Sequence, residues 1–532
     1  MKKYFWLLLI ILAGLLLRIY HSTSISLWHD EAFSALMIRY PWGEMFSRLA
    51  IDVHPPMYYI ALRLWHYVFG DAMWSLRGFS VFFGTLTIPA AYLFVKQAFK
   101  SEKMALWAAL VIALNPFGMQ YVTEARMYTF GAFFAIMAAY FLTKALHSQK
   151  HYVDDQRSHM PHMPEDIHLR RTAIWNYILF ALCTGIIILT HYYLLFTAAA
   201  FGLYGLYFLV SHYKLSIKNY LWFLGSWILV LIFFLPWLKV FLSQLASVKS
   251  SYWIPDMTVW SIPSTVWAML LGFNHDVNNV NTQKWLIVFC LFTLFFLWRF
   301  VRKIDSKEKW LVILAIVMPF VGSVLFYLKS IQCSQGVCHG RSVYMDRYFL
   351  YAAMFYTIAF ASWLSTIKFK KLGIALLVVY CLVNLAAVYN YWSDLNISQK
   401  PGMNGAAKYL GANVEPGQYV FLGTSFEFFN YKYYEQTYYY TPSSPLLYTG
   451  GRSDVSQISP VEGSALLSNS DLAATYEQFV KPQSIQWVIW TEAFGSHKPE
   501  MPKNWTQIDE KSFPDVRPYN GTNIYVTEYR VN

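Results

Sequence analysis

Eleven stretches of this chain run for about 17 to 23 residues with almost no charge, a pattern that soluble proteins do not repeat. They lie near 4–20, 79–95, 104–122, 128–146, 174–191, 193–211, 219–241, 284–300, 310–328, 348–366 and 372–391. A helix of about 20 residues crosses about 30 Å of hydrocarbon, and it does so with every backbone group paired internally. The expected fold is therefore an α-helical polytopic membrane protein of about 11 transmembrane helices. Composition agrees, since 56% of the 532 residues are hydrophobic and 14% charged, against about 25% charged in soluble proteins. Disorder, collagen and a disulfide scaffold are excluded by the apolar content, the lack of a glycine repeat and a total of five cysteines.

Lys2 and Lys3 precede the first run, which ends in Leu17-Arg18-Ile19-Tyr20-His21 with no small-residue cleavage site. It reads as a retained anchor rather than a signal peptide. With the N-terminus in the cytoplasm, 20 Lys and Arg fall on cytoplasmic segments and 12 on the outer segments before residue 392. That bias sets the orientation. The net charge of +12 thus follows from topology and implies no nucleic acid. The chain divides into a membrane domain, 1–392, and an extracytoplasmic soluble α/β domain, 393–532. The latter carries strand-like runs at 419–422, 486–490 and 523–526 and helical patterns near 403–411 and 471–480. A long outer loop, about 20–77, and the piece 242–283 read as helices at the membrane interface, against its lipids. The implied location is the cytoplasmic membrane of the cell.

Cys183, Cys290 and Cys381 fall in spans and read as packing residues. Cys333 and Cys338 share an outer loop, where a local disulfide is expected. The inner loop 147–171 holds five histidines, including His147 and His151, and reads as a solvated loop without a catalytic role.

Candidates for chemistry gather on the outer side. Trp28-His29-Asp30-Glu31 places an acid pair among apolar residues a few positions past a span. The pair reads either as a helix N-terminal pair complementing the macrodipole or as catalytic carboxylates, with burial raising the pKa of a base. Asp52-Val53-His54-Pro55-Pro56 offers a cap and a histidine, or an anion- and proton-handling group before a Pro-started helix. Glu124-Ala125-Arg126-Met127-Tyr128 sits at a very short link between spans, and Asp346-Arg347-Tyr348 opens a later span on the same side. Arg126 pairs with Glu124 or snorkels, or its planar guanidinium binds a phosphate at headgroup level.

In combination these segments, Trp-x-Asp-Glu, His-Pro-Pro-x-Tyr-Tyr, Glu-Ala-Arg-x-Tyr and a later Arg-Tyr, resemble the GT-C superfamily of membrane glycosyltransferases. The closer resemblance is to bacterial relatives of protein O-mannosyltransferases and of the aminoarabinose transferases acting on lipid A. It covers about residues 1–390 and is strongest in 25–130. It implies an inverting transfer of sugar from a polyprenyl-phosphate donor to a protein, lipid or glycan acceptor outside the membrane. By the resemblance Asp30 is the general base and Arg126 lies near the donor phosphate; Glu31, beside Asp30, is expected to orient the acceptor or to pair with an Arg. Arg347 and His54 are expected to assist on the phosphate, with Asp52, Glu124 and Tyr128 in support. The aminoarabinose transferases carry a Lys directly before the Pro-Pro, where this chain has the weaker cation His54. No cofactor is required. A divalent metal is not demanded, although Asp30, Glu31, Asp52 and His54 would offer ligands.

Two other classes make different demands. A transporter or flippase of lipid-linked molecules needs charges facing a pathway near the midplane, and the apolar runs are nearly free of them. A non-catalytic scaffold would leave the acid pair merely structural.

Overall fold

The computed structural model describes residues 2–157, 164–213, 219–248, 254–272, 277–334, 337–394, 399–493, 496–516 and 522–532. Among them, nine helices are long and apolar enough to cross a membrane, or ten if one bent pair counts as a single span. The eleventh expected crossing, near 4–20, is helical, but its apolar part Tyr4–Ile19 is shorter than the others. Asp346–Ser365 lies at the centre of the bundle, with 89% of its apolar window buried, whereas Leu221–Ala246 is peripheral at 17%.

The bent pair is Glu102–Leu114 and Pro116–Val122, which meet at 54°. Pro116 lacks an N–H, so the ladder stops before it. Asn115 caps the second piece by accepting from the Gly118 N–H at 2.8 Å. The carbonyls freed on the first piece are taken by Arg18, which donates to Ala113 O at 3.0 Å and Ile112 O at 3.2 Å. A buried cation from the first helix therefore satisfies the break in the third expected span, as apolar surroundings require.

The loop expected at 20–77 folds into three short helices, His29–Met37, Trp42–Ile51 and Met57–Phe69. The segment 147–171 is not a plain loop. The flanking helices Tyr128–Arg157 and Pro164–Ile188 extend into it, and His147 is hydrogen-bonded to Glu308 at 2.8 Å. Strands β1 (Gln332–Ser334) and β2 (Val337–His339) pair antiparallel with Cys333 opposite Cys338. The expected disulfide lies outside the described side chains. Cys183, Cys290 and Cys381 are free thiols.

After the helix Lys370–Asp394 the chain forms a mixed sheet. Its strands are β3 (Val420–Leu422), β4 (Leu446–Tyr448), β5 (Leu472–Ala473), β6 (Ile485–Thr491), β7 (Trp505–Asp515) and β8 (Thr522–Val531). The order is β5-β4-β3-β6-β8-β7, parallel from β5 to β6 and antiparallel beyond. Helices Gly402–Asn413 and Ser425–Thr437 accompany it. The helix expected near 471–480 is absent. Ala473 instead pairs with Tyr448 on β4, and its carbonyl accepts from Thr449 N.

Candidate active site

Asp30 and Glu31 occupy the first turn of the helix His29–Met37. Neighbours on a helix point about 100° apart, and the two carboxylates have separate environments. Glu31 is fully buried. Its Oε1 accepts from Arg77 Nε at 2.8 Å and from Ala125 N at 2.7 Å. Its Oε2 accepts from Arg77 Nη2 at 2.8 Å and from Trp28 N at 3.3 Å. Arg77 gives its other donors to the carbonyls of Ser22, Ile25 and Ser26. Such a pair is tolerated in a dry interior because each charge is hydrogen-bonded as well as paired. Of the two expectations for Glu31, pairing with an Arg is the one the structure shows, and the residue ties three segments together rather than joining Asp30 at the open side.

Asp30 remains 22% exposed at its side chain. Its Oδ2 lies 3.3 Å from Arg347 Nη1 and 3.9 Å from Arg126 Nε. The Arg126 guanidinium is buried, donating from Nη1 to Asp30 O at 3.1 Å and Ser34 Oγ at 3.0 Å. Its Nη2 stands 3.1 Å from His54 Nε2. A guanidinium only donates, so Nε2 accepts and the imidazole proton sits on Nδ1, 2.9 Å from Asp52 Oδ2. In this arrangement His54 orients Arg126 instead of presenting its own charge to an anion. Arg347 also lies over the Trp28 ring at 5.5 Å.

The expectation that burial raises the pKa of Asp30 is overturned. Burial pushes the carboxyl up, but Arg126 first and Arg347 next pull it down, to about 2. The alternative pairing of Arg126 with Glu124 is also replaced by the contact with Asp30. Glu124 is buried, and its backbone carbonyl accepts from Ser80 Oγ at 2.5 Å and Arg126 N at 2.8 Å. These bonds fix the short link that carries Arg126. Tyr128 is buried one turn of chain further on, with its ring 5.3 Å from Tyr121. Among the described residues, no three His, Cys, Asp or Glu side chains gather to hold a metal ion. The ligand set imagined from Asp30, Glu31, Asp52 and His54 is split by the turn of Glu31 towards Arg77.

The C-terminal domain closes over this region. Tyr434 Oη accepts from Leu27 N at 2.8 Å, and the His29 ring packs on Phe426 and Phe429 at 4.8 and 5.4 Å. Sequence reasoning missed Ser34, Arg77 and His191. Ser34 was legible as the position one turn after Asp30. His191 marks the polar interruption between two apolar runs, with its ring 6.4 Å from that of His54. Arg77 carried no local signal, because its partner is 46 residues away.

A family model described as dolichyl-phosphate-mannose-protein mannosyltransferase matches residues 53–153, which include His54, Glu124, Arg126 and Tyr128. In fold the chain is similar to ArnT from Cupriavidus metallidurans in the apo state, with TM-score 0.59 at 11% identity over 99% of this chain and 98% of that one. It is likewise similar to the same protein bound to undecaprenyl phosphate, with TM-score 0.55 at 10% identity over 98% of each chain. No curated protein matches the sequence. The fold is an ArnT-like GT-C fold, with a multi-span helical bundle and a C-terminal sheet domain.

Proposed function

We propose that this chain is an inverting glycosyltransferase that moves a sugar from a polyprenyl-phosphate donor to a hydroxyl of a protein, lipid or glycan on the outer face of the cytoplasmic membrane. The observation that carries this reading is the convergence of two guanidinium groups, the buried Arg126 and the largely covered Arg347, from separate parts of the chain on one partly exposed carboxylate. The fold match to a protein that binds undecaprenyl phosphate supports the donor class, and the family match supports transfer from a lipid phosphate.

In this mechanism the phosphate of the donor competes with Asp30 for Arg126 and Arg347. Freed from its clamp, Asp30 takes the proton of the acceptor hydroxyl. The oxygen attacks the anomeric carbon from the face opposite the phosphate, and the bond between that carbon and the phosphate oxygen breaks. The electron pair leaves with polyprenyl phosphate, which needs no proton and is held by the arginines. Ser34 and His54 keep Arg126 aimed, with Asp52 fixing the imidazole tautomer. The scheme needs no cofactor and does not demand a metal.

Asp30→Asn tests the assignment. With undecaprenyl-phosphate-linked sugars and membrane acceptors, the variant is expected to lose transfer by 10²-fold or more while still binding undecaprenyl phosphate. Normal turnover by the variant would remove Asp30 as the base.

A further inference from the structure

We infer that His191, with the Tyr351 hydroxyl beside it, forms an uncharged hydrogen-bonding subsite that reads the hydroxyls of the transferred sugar. The inference rests on the glycosyl-transfer reading above and names the sugar's place within that site.

His191 lies in the break between the helices Pro164–Ile188 and Leu194–Tyr213. Leu189 O accepts from Met57 N at 2.9 Å, which fastens this break to the segment bearing His54. The imidazole is buried with its centre 4.7 Å from the Tyr348 ring, 6.0 Å from Tyr351, 6.2 Å from Tyr128 and 6.4 Å from His54. Its Nδ1 accepts from Tyr193 N at 3.3 Å, so in the neutral ring the proton is on Nε2. The only hydrogen bond of the His191 ring among the described residues is this one at Nδ1, and the buried Tyr351 Oη has no partner there. A buried polar group is ordinarily matched, and an unmatched hydroxyl next to an imidazole with an N–H to give calls for a ligand that supplies the missing partner.

Charge narrows the ligand. Burial first, and then His54, Arg126 and Arg347, hold the His191 ring well below the usual histidine range, so it stays neutral. The permanent charges acting on it are Arg126 and Arg347, both positive. Of the carboxylates in this cluster, Asp30 is already shared by both arginines and Asp52 is taken by His54 Nδ1 at 2.9 Å. A cationic amino sugar would therefore meet positive potential here. An uncharged sugar would meet an N–H donor, a phenol and the faces of Tyr128 and Tyr348, the mixture that carbohydrate hydroxyls and ring C–H groups suit. Gly131 leaves the room for this packing, since a Cβ there would stand 2.7 Å from the Tyr351 ring.

The test compares the binding of undecaprenyl phosphate with that of its mannosyl, glucosyl, galactosyl and 4-amino-4-deoxyarabinosyl derivatives to the full-length protein in nanodiscs. At least one neutral glycosyl donor is expected to bind more tightly than undecaprenyl phosphate, and the amino-sugar donor more weakly than that one. His191→Phe keeps the ring packing and is expected to weaken the preferred neutral donor about tenfold or more without changing affinity for undecaprenyl phosphate. His191→Gln retains an N–H donor and is expected to recover part of that loss. Equal loss for both ligands, no loss, or preference for the amino sugar would overturn the subsite alone. Failure of the wild-type protein to bind undecaprenyl phosphate would overturn the glycosyl-transfer reading and this inference with it.

Discussion

Two adjacent carboxylates make opposite predictions because they keep different company. Removing the charge of Glu31 leaves Arg77 as an uncompensated buried cation, a change that costs about 3–5 kcal/mol. Glu31→Gln is therefore expected to lower the thermal unfolding midpoint clearly, whereas Asp30→Asn, at a partly exposed position, is expected to change it little. Differential scanning fluorimetry of the two proteins separates a structural acid from a catalytic one. Asp30 also sets a pH signature. Its carboxyl is depressed to about 2 by Arg126 and Arg347 against the effect of burial, so its ion pairs are intact above the unfolded value of about 3.9 and are lost as pH falls through about 2. A bound phosphate that draws the arginines away raises that value. The acid limb of kcat, which reports the donor complex, is then expected at higher pH than that of kcat/KM, which reports the free enzyme. Coincident limbs would show that the donor leaves the clamp in place. From the sequence, Asp30, Arg126 and Arg347 were legible as scarce charges at the ends of apolar runs. Their mutual pairing was not, because it joins residues 96 and 317 positions apart.

At the scale of elements, the spans were readable because lipid imposes one rule, an unbroken apolar stretch of sufficient length. The bend at Asn115-Pro116 was present in the letters, yet its satisfaction by Arg18 required the neighbouring helix. The helix Ser425–Thr437 was unreadable for a different reason. Phe428, Phe429, Tyr431, Tyr433 and Tyr434 are all buried. A helix covered on several sides, here by the sheet domain and by the helix His29–Met37, loses the single apolar stripe that reveals helical period. The same helix holds Glu427, which is buried and whose carboxyl is raised to about 8 by burial and by Asp515. In the unfolded chain a glutamate ionises near 4.3. Stability is therefore expected to decline as pH rises from about 4.3 to 8, because the folded state must keep a proton that the unfolded state gives up. Glu427→Gln is expected to flatten that decline, raising the unfolding midpoint at pH 8 while leaving it nearly unchanged at pH 4. An unaltered pH dependence would assign the decline to other groups.

Over the whole molecule, the sheet domain completes the acid-pair segment. Arg39 reaches Asp71 at 2.6 Å and Thr437 Oγ1 at 2.6 Å, Ser26 Oγ donates to Pro401 O at 2.9 Å, and Tyr434 accepts from the backbone directly before Trp28. Tyr434→Phe removes one buried acceptor and leaves the Leu27 N–H unmatched, a loss of about 1–3 kcal/mol. It is expected to reduce transfer while leaving undecaprenyl phosphate bound, and the midpoint of unfolding would register the same loss. Unchanged turnover would mean that the domain covers the site without bracing it.

That brace has a consequence in time. Leu27 and Tyr434 are separated by 407 residues, and translation proceeds at roughly 5–20 residues per second. About 20–80 s therefore pass between the emergence of the acid-pair segment and the arrival of the tyrosine that holds it. Assembly of this site is therefore not local: the acid-pair segment must wait, already synthesised, for a tyrosine made 407 residues later.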